Sequence, residues 1–537
     1  MNNNKIIAAI AAALVSAPAF GANIVLNNVD PAGVGFNDPT PAAPVGGNAG
    51  TTVGEQRLIA YRKALQLWGE TLKSDVTIVV QGSFRRLTCT ATGGTLAQAG
   101  AIQIFANFPN APLQNHWYGV ALANAIAGED LTPGPLDPGP LAPPFNDDIV
   151  ANFNGDVGRP DCIAGPGWYY GLDSNPGPGQ IDFLDTFMHE VAHGLGFQNF
   201  VTETTGASPA GLPDVYMANT LDLDLGQHWD TLTPAQIPVS AANNGRVVWT
   251  GERVSENAGV VLGPYEGLRL TGNVAKEIEY GNASFGPLPS TSNLNGDVAV
   301  GNDGAGASAT DGCEPMGNVA GKVALVDRGT CTFAVKAQNA QDGGATALLI
   351  ANTVAGGSAA FSPGGTAPSI VIPVVGISIG DGAQIKANVP GVGAEYFVDP
   401  TRLAGTAEGY VRLYAPRVIA LGSSISHFDT VAAPNLLMEP AITPTLRASE
   451  NLDLTPSLMA DVGWQLETLK IGSCDTGVVN ALPTGLLLSA KVEQCAAGAR
   501  NRGQFVSCTN AVTNAAKDAG FLTGRQHAAI TSCAAQK

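Results

Sequence analysis

The chain has 537 residues, of which 45% are apolar, so it can bury sizeable cores and wholesale disorder is excluded. Its formal net charge of −18 repels nucleic acid and anionic membranes and excludes both as partners. Only 13% of the residues are charged, and 66 glycines with 36 prolines favour turns, long loops and short strands.

Residues 1–22 have the pattern of a secretory signal peptide. Lys5 precedes an apolar run from Ile6 to Val15, and small residues follow up to Ala22. The run is shorter than the ~20 apolar residues of a membrane anchor, and no later segment is long enough to span a membrane. We therefore expect a secreted protein, either extracellular or periplasmic in transit.

An exported protein matures in an oxidising compartment, where an even number of cysteines predicts disulfides. The chain has eight cysteines, so we expect four disulfides and no free thiol. Proximity along the chain favours pairs within three sets: Cys313 with Cys331, the C-terminal Cys474, Cys495, Cys508 and Cys533 among themselves, and the remaining Cys89 with Cys162.

Residues 23–250 are predicted to form the first part of an α/β catalytic domain. Apolar residues at helical spacing predict a helix over Gly54 to Lys73, and short β-branched or aromatic runs predict extended segments. Residues 128–180 are expected to be mainly loop. The predicted extended segments are Val76–Val80, Phe84–Cys89 and Ile102–Phe105.

The most informative stretch is His189-Glu190-Val191-Ala192-His193. An apolar stripe at three- and four-residue steps predicts that it lies on a helix. Two histidines four residues apart then project from one face and can bind one Zn²⁺. Glu190 between them can take a proton from a zinc-activated water. A helix with two surface histidines is the alternative interpretation.

A catalytic zinc usually has three protein ligands and one water. In metzincins the third ligand is a histidine six residues after the second, but that position here is Asn199, whose amide oxygen is a poor zinc ligand. His228, in a His-Trp-Asp sequence, is one substitute. His116 and His527 are interpreted as surface or locally hydrogen-bonded histidines.

Residues 251–405 are predicted to be an inserted α/β domain. A strand ending in Asp327-Arg328-Gly329-Thr330-Cys331-Thr332-Phe333 is followed by a helix and by a strand over Ala347 to Ala351. This order resembles the protease-associated (PA) domain. The resemblance implies a non-catalytic lid, or an insert that contacts substrate or partner. A spacer that packs on the catalytic lobe is the alternative.

Residues 406–470 are predicted to complete the catalytic domain. Ser424-Ile425-Ser426-His427-Phe428-Asp429 precedes Leu437-Met438-Glu439-Pro440, and a helix ending Asp461-Val462-Gly463-Trp464 follows. With His189 to Phe197, this order resembles the leishmanolysin-type metzincins. The resemblance implies that His427 is the third zinc ligand and that Met438 forms the methionine turn beneath the metal.

The predicted fold is therefore α+β: a zincin or metzincin-like catalytic lobe is split by the PA domain. A small, disulfide-linked helical region over residues 471–537 follows. One catalytic Zn²⁺ is the predicted cofactor. The segment Asp222-Leu223-Asp224 is interpreted as a solvated loop, with a cation site as the alternative. A calcium ion stays open as a second cofactor, but the sequence offers no support for it.

These patterns together predict a secreted zinc metalloendopeptidase that hydrolyses protein or peptide substrates with Glu190 as general base. Two alternatives stay open. One is a secreted binding protein or adhesin whose zincin lobe is structural, and the other is a zinc hydrolase of non-protein substrates. The sequence indicates no oligomeric state.

Overall fold

A computed structural model describes residues 21–132, 147–304, 306–353 and 359–537. Most of the signal-peptide prediction, residues 1–20, lies outside the described residues. The chain divides into two compact units: unit 1 comprises residues 1–263 and 405–537, and unit 2 comprises residues 264–404. Within the described residues, no helix is both long and apolar enough to cross a membrane.

The first part of unit 1 contains five α-helices and short strands in its described residues. The helices are α1 (Val53–Thr71), α2 (Val120–Ala127), α3 (Phe183–Leu195), α4 (Ile237–Ala241) and α5 (Glu252–Val261). The strands are β1 (Ile24–Asn28), β2 (Ile78–Arg85), β3 (Cys89–Thr90), β4 (Gly93–Gly94), β5 (Ala97–Ala101), β6 (Ile104–Phe105), β7 (Tyr118–Gly119), β8 (Ile149–Asn154), β9 (Trp168–Tyr169), β10 (Ile181–Asp182), β11 (Thr220–Asp222), β12 (Gln227–His228) and β13 (Val247–Trp249).

The central sheet of unit 1 has the order β1-β2-β8-β5, with β5 antiparallel at one edge. Helices α1 and α3 pack against it through aromatic rings. The Phe187 ring centroid lies 4.1 Å from that of Tyr61 on α1 and 5.3 Å from that of Phe153 on β8. The Trp68 indole also donates to the Met188 carbonyl at 3.1 Å. Burial of these large rings holds α3 firmly against the sheet.

Strand β8 lies inside residues 128–180, where the sequence predicted mainly loop. Residues 133–146 of that range lie outside the described residues. The strand pairs on both sides and carries two buried asparagines that interrupt its apolar pattern. Asn152 accepts from the Ser83 hydroxyl at 2.8 Å, and Asn154 donates to the Thr95 carbonyl at 2.9 Å. Specific partners therefore satisfy polar groups that weakened the strand signal in the sequence.

Unit 2 is built on one mixed sheet with the order β15-β14-β21-β17-β18-β19-β20-β16, and strands β17 to β20 run parallel. The predicted strand, helix and strand after residue 320 are β18, α6 and β19. The elements are β14 (Pro264–Gly272), β15 (Lys276–Ile278), β16 (Tyr280–Asn282), β17 (Asn295–Val300), β18 (Val323–Asp327), α6 (Phe333–Asp342), β19 (Ala347–Ala351), β20 (Val374–Ile377), α7 (Ile379–Asn388) and β21 (Val392–Leu403).

Unit 2 begins at Pro264, whereas the sequence analysis started the insertion at residue 251. Helix α5 belongs to unit 1 because it is bound to the helix over residues 455–462. Asp461 of that helix accepts from the backbone amides of Arg253 and Val254, at 2.7 and 3.2 Å, and the Asn257 amide donates to Ser457 at 2.9 Å.

The remainder of unit 1 closes the lobe and adds a disulfide-linked end. Its elements are β22 (Thr406–Ala407), β23 (Tyr410–Arg412), α8 (Thr455–Val462), β24 (Thr468–Ile471), β25 (Cys474–Val479), α9 (Leu488–Gly498), α10 (Arg502–Asp518) and α11 (Gly524–Gln536). The region after residue 471 is therefore a strand followed by three helices, and β25 pairs with β24 to form a hairpin.

Four disulfides account for all eight cysteines, which confirms the predicted grouping. The bonds are Cys89–Cys162, Cys313–Cys331, Cys474–Cys533 and Cys495–Cys508.

Candidate metal centre

Helix α3 places His189, Glu190 and His193 in the interior of unit 1. Its start is capped by Asp182, whose carboxylate accepts from the Asp185 amide at 3.0 Å. Every residue of the helix is buried, so burial extends well beyond the predicted apolar stripe. Gly196 ends the helix at a φ of +133°, a backbone conformation that residues with a Cβ atom rarely adopt. The chain can therefore turn away directly after the second histidine.

The structure brings His427 to the same point as His189 and His193. The Nε2 atom of His189 lies 3.1 Å from Nε2 of His193 and 3.2 Å from Nε2 of His427. The exposed fractions of these residues are only 6%, 8% and 4%. Three nitrogens at 2.0–2.1 Å from a tetrahedral zinc would be about 3.3 Å apart, so the spacing of this cluster fits the ion.

Each imidazole is oriented by a backbone carbonyl on its other nitrogen. The Nδ1 atoms of His189, His193 and His427 lie 2.7 Å from the carbonyl oxygens of Leu437, Phe197 and Ser423. Because a carbonyl only accepts, each Nδ1 carries the proton and each Nε2 keeps its lone pair. Three lone pairs that face one another do not satisfy each other, and a shared cation would satisfy all three.

Burial also keeps these histidines neutral, which is the form that binds a metal. It lowers the pKa of His189 to about 3, with a further contribution from the neighbouring His193. Burial lowers the pKa of His193 to about 4 and that of His427 well below its ordinary value.

Glu190 is buried beside edge strand β5. Burial raises the pKa of its carboxyl to about 8, against the opposing effect of a hydrogen bond from the Ala99 backbone. The scarcity of water around this group favours the neutral, protonated carboxyl over the charged carboxylate. Glu190 therefore lies in the interior on the same helix as His189 and His193, with its carboxyl next to strand β5.

The segment over residues 423–427 is held in place by Asn199, a role that the sequence analysis missed. The Asn199 side-chain amide donates to the Ser426 hydroxyl at 2.9 Å, and its backbone amide lies 3.2 Å from the same oxygen. Asn199, at the position where a metzincin bears its third histidine, therefore anchors the loop that carries His427. Only the proximity of the two segments in space shows this role.

Met438 is fully buried in a turn that contacts two of the histidine segments. Its carbonyl accepts from the Phe428 amide at 2.8 Å, next to His427. The preceding Leu437 orients His189 through its carbonyl and donates its amide to Asp453 at 2.5 Å. Asp453, which the sequence analysis also missed, thus supports His189 through the turn.

The other histidines lie outside the cluster. His228 is in β12 and its Nε2 atom lies 3.0 Å from the Thr250 hydroxyl. His116 lies beside the Gln114 carbonyl, at 2.9 Å. Among the described residues, the histidines that could jointly hold one ion are His189, His193 and His427.

The segment Asp222-Leu223-Asp224 differs from the solvated loop that the sequence predicted. Asp222 is buried, and its carboxylate accepts from the backbone amides of Asp224 and Leu225, at 2.9 and 3.0 Å. Asp224 instead pairs with Arg246 at 2.8 Å. The Asp222 carboxylate therefore closes a turn, and the Asp224 carboxylate is engaged in an ion pair.

Comparisons with known proteins concern part of the chain. A probable leucine aminopeptidase 2 of Aspergillus fumigatus is 39% identical over 69 residues, which is 13% of this chain and 14% of that protein. A zinc aminopeptidase from Bacillus subtilis is 21% identical with a TM-score of 0.20, and the match covers 28% of this chain and 37% of that one. An aminopeptidase from Aneurinibacillus sp. strain AM-1 is 19% identical with a TM-score of 0.18, and the match covers 30% of this chain and 42% of that one.

The chain thus spans less than half the length of each of these proteins. TM-scores this low describe no shared overall fold. Residues 294–385 match the family model of the PA domain. This range lies within unit 2 and includes the strand, turn and helix on which the sequence-based resemblance rested. Unit 2 therefore contains a PA domain.

Proposed function

We propose that the chain is a secreted, zinc-dependent endopeptidase of the metzincin type with an inserted PA domain. The observation that carries this proposal is the convergence of His189, His193 and His427, each with its Nδ1 on a backbone carbonyl. A structural role for these residues would not require three buried imidazoles with their lone pairs directed at one point. The match to a PA domain agrees with a peptidase, because PA domains are generally inserts in secreted hydrolases.

In the proposed reaction the three histidines hold the ion and Glu190 acts as general base. Zinc bound there would lower the pKa of a water molecule and polarise the scissile carbonyl. Glu190 accepts the proton of the attacking water and delivers it to the leaving amine. Its burial favours the first of these steps, because the protonated carboxyl is the more stable form in a dry setting.

The edge of the central sheet supports cleavage within a peptide chain. Strand β5 lies at the end of the sheet order, and its Ala99 backbone approaches Glu190. An extended peptide that added a strand to this edge would place its backbone beside Glu190. Binding along the length of a peptide does not require a free terminus. We therefore propose internal cleavage rather than removal of terminal residues.

The four disulfides support the proposed export, because such bonds persist in oxidising compartments.

The test uses peptides with both ends blocked and mass spectrometry of the products. We expect the zinc-loaded protein to cut these peptides internally and Glu190→Gln to lose about 10²–10⁴-fold in turnover while it keeps zinc. Glu129→Gln, at an exposed position, is the matched control and should keep full activity. Zinc binding without hydrolysis would favour the binding-protein alternative, and trimming of unblocked peptides alone would favour an aminopeptidase.

A further inference from the structure

A second cluster of side chains that could bind a metal ion lies in unit 2, between β17 and β18. Asp303, Asp311 and Glu314 each offer a carboxylate oxygen, and these oxygens lie within 4.8 Å of one another. The Cys313–Cys331 disulfide joins this loop to the turn that follows β18. The cluster is independent of the three histidines, which belong to unit 1.

Each of the three carboxylates has a buried oxygen with no hydrogen-bond partner in the described part of the chain. These oxygens are Oδ1 of Asp303, Oδ2 of Asp311 and Oε2 of Glu314. The backbone amide of Cys313 donates to the second oxygen of both aspartates, at 3.1 Å each. Asp311 is only 2% exposed, so water gives it little compensation. An unpaired buried carboxylate oxygen is costly, and three together call for a common partner.

The charges of the surrounding groups indicate that this common partner is a cation. The Lys336 ammonium is near, but it donates to the Asp311 backbone carbonyl and lies 3.5 Å from Cys313 Sγ. Burial, followed by the charges of Asp303 and Asp311, raises the pKa of the Glu314 carboxyl. Lys336 therefore offsets only part of the repulsion within the cluster. Three carboxylates and one ammonium leave two negative charges, which a divalent cation would neutralise.

We propose that Asp303, Asp311 and Glu314 bind a calcium ion in the PA domain. An all-oxygen ligand set favours a hard cation, whereas zinc prefers nitrogen and sulfur. Calcium ligands at 2.3–2.6 Å lie up to about 5 Å apart, which suits this cluster, while magnesium requires a tighter octahedron. Water completes the coordination. The ion joins the two ends of the loop over residues 303–314 beside the disulfide.

The proposal is tested by isothermal titration calorimetry of calcium chloride into the full chain in calcium-free buffer. We expect one saturable site with a dissociation constant of about 10⁻⁴–10⁻³ M, as in other extracellular modules, and at least roughly tenfold weaker binding of magnesium. The double variant Asp303→Asn, Glu314→Gln should weaken calcium binding more than tenfold. Asp297→Asn, at an exposed position of β17, is the matched control and should bind as the unmodified chain does.

The titration of the unmodified chain keeps the proposal testable even if the double variant does not fold. Absence of saturable binding up to about 10 mM calcium would overturn the proposal. Equal affinity of the unmodified chain and the folded double variant would overturn the assignment to these residues. His427→Ala should leave calcium binding unchanged, because that residue belongs to the other unit.

Discussion

Replacement of His427 by alanine is the perturbation that most directly tests the metal centre. The change removes one of three nitrogens that meet within hydrogen-bond range, 3.2 Å from His189 Nε2. Zinc binding in small structural sites releases about 10–16 kcal/mol, which is roughly 3 kcal/mol for each of four ligands. We therefore expect His427→Ala to weaken zinc binding by about 10²-fold or more.

The matched comparison is His228→Ala, which removes the competing candidate. The His228 side chain makes one hydrogen bond to Thr250 and lies outside the cluster. Its loss should cost about 1 kcal/mol of folding stability and leave zinc binding intact. Asn199→Ala is intermediate: it removes the 2.9 Å bond to Ser426 but no ligand, so it should loosen the His427 loop and reduce zinc affinity modestly.

The assay is zinc content by mass spectrometry after dialysis against a weak chelator, with circular dichroism to verify folding. The expected order of zinc retention is unmodified chain and His228→Ala, then Asn199→Ala, then His427→Ala. Zinc lost with His228→Ala and retained with His427→Ala would refute the reasoning. It would also transfer the metal centre to residues that precede the PA domain.

Three further predictions concern residues around the site and the redox state. Asp453→Ala removes the acceptor of the Leu437 amide and should weaken zinc binding about 10–100-fold. The control Asp518→Ala, at the surface, should leave zinc binding unchanged. Equal zinc retention by both variants would contradict the positioning role of Asp453. In Gly194→Ala the added Cβ would lie 2.3 Å from Ile149 Cγ2, so we expect a loss of about 1–3 kcal/mol, partly offset by better helix propensity and measured by denaturant unfolding. Titration of thiols under denaturing, non-reducing conditions should find none, and two or more would exclude the four-disulfide arrangement.

Local features of the chain were predictable because they depend on residues close in sequence. The spacing of His189 and His193 follows from the helical period, and α3 has the predicted position. The strand and helix around Cys331 were equally readable, and the PA-domain match confirms them. The disulfide groups followed from an even cysteine count and from proximity along the chain, with Cys89 and Cys162 paired as the two that remained.

The sequence was less informative where polar residues are buried or elements pack far from their neighbours. Strand β8 lies in a range that was expected to be mainly loop. Its asparagines interrupt the apolar pattern of the strand, and tertiary hydrogen bonds satisfy them. Helix α5 was placed in the insertion because its packing against α8 depends on residues about 200 positions later.

The sequence by itself determined the pair of histidines, the glutamate between them and the motif order that named His427 and Met438 as candidates. Only the tertiary structure decided that His427 lies beside His189, across a separation of 238 residues. It also decided that Asn199 and Asp453 support the site. The physical reason is that helical periodicity is local, whereas the meeting of distant loops depends on backbone hydrogen bonds and burial that form only in the folded chain.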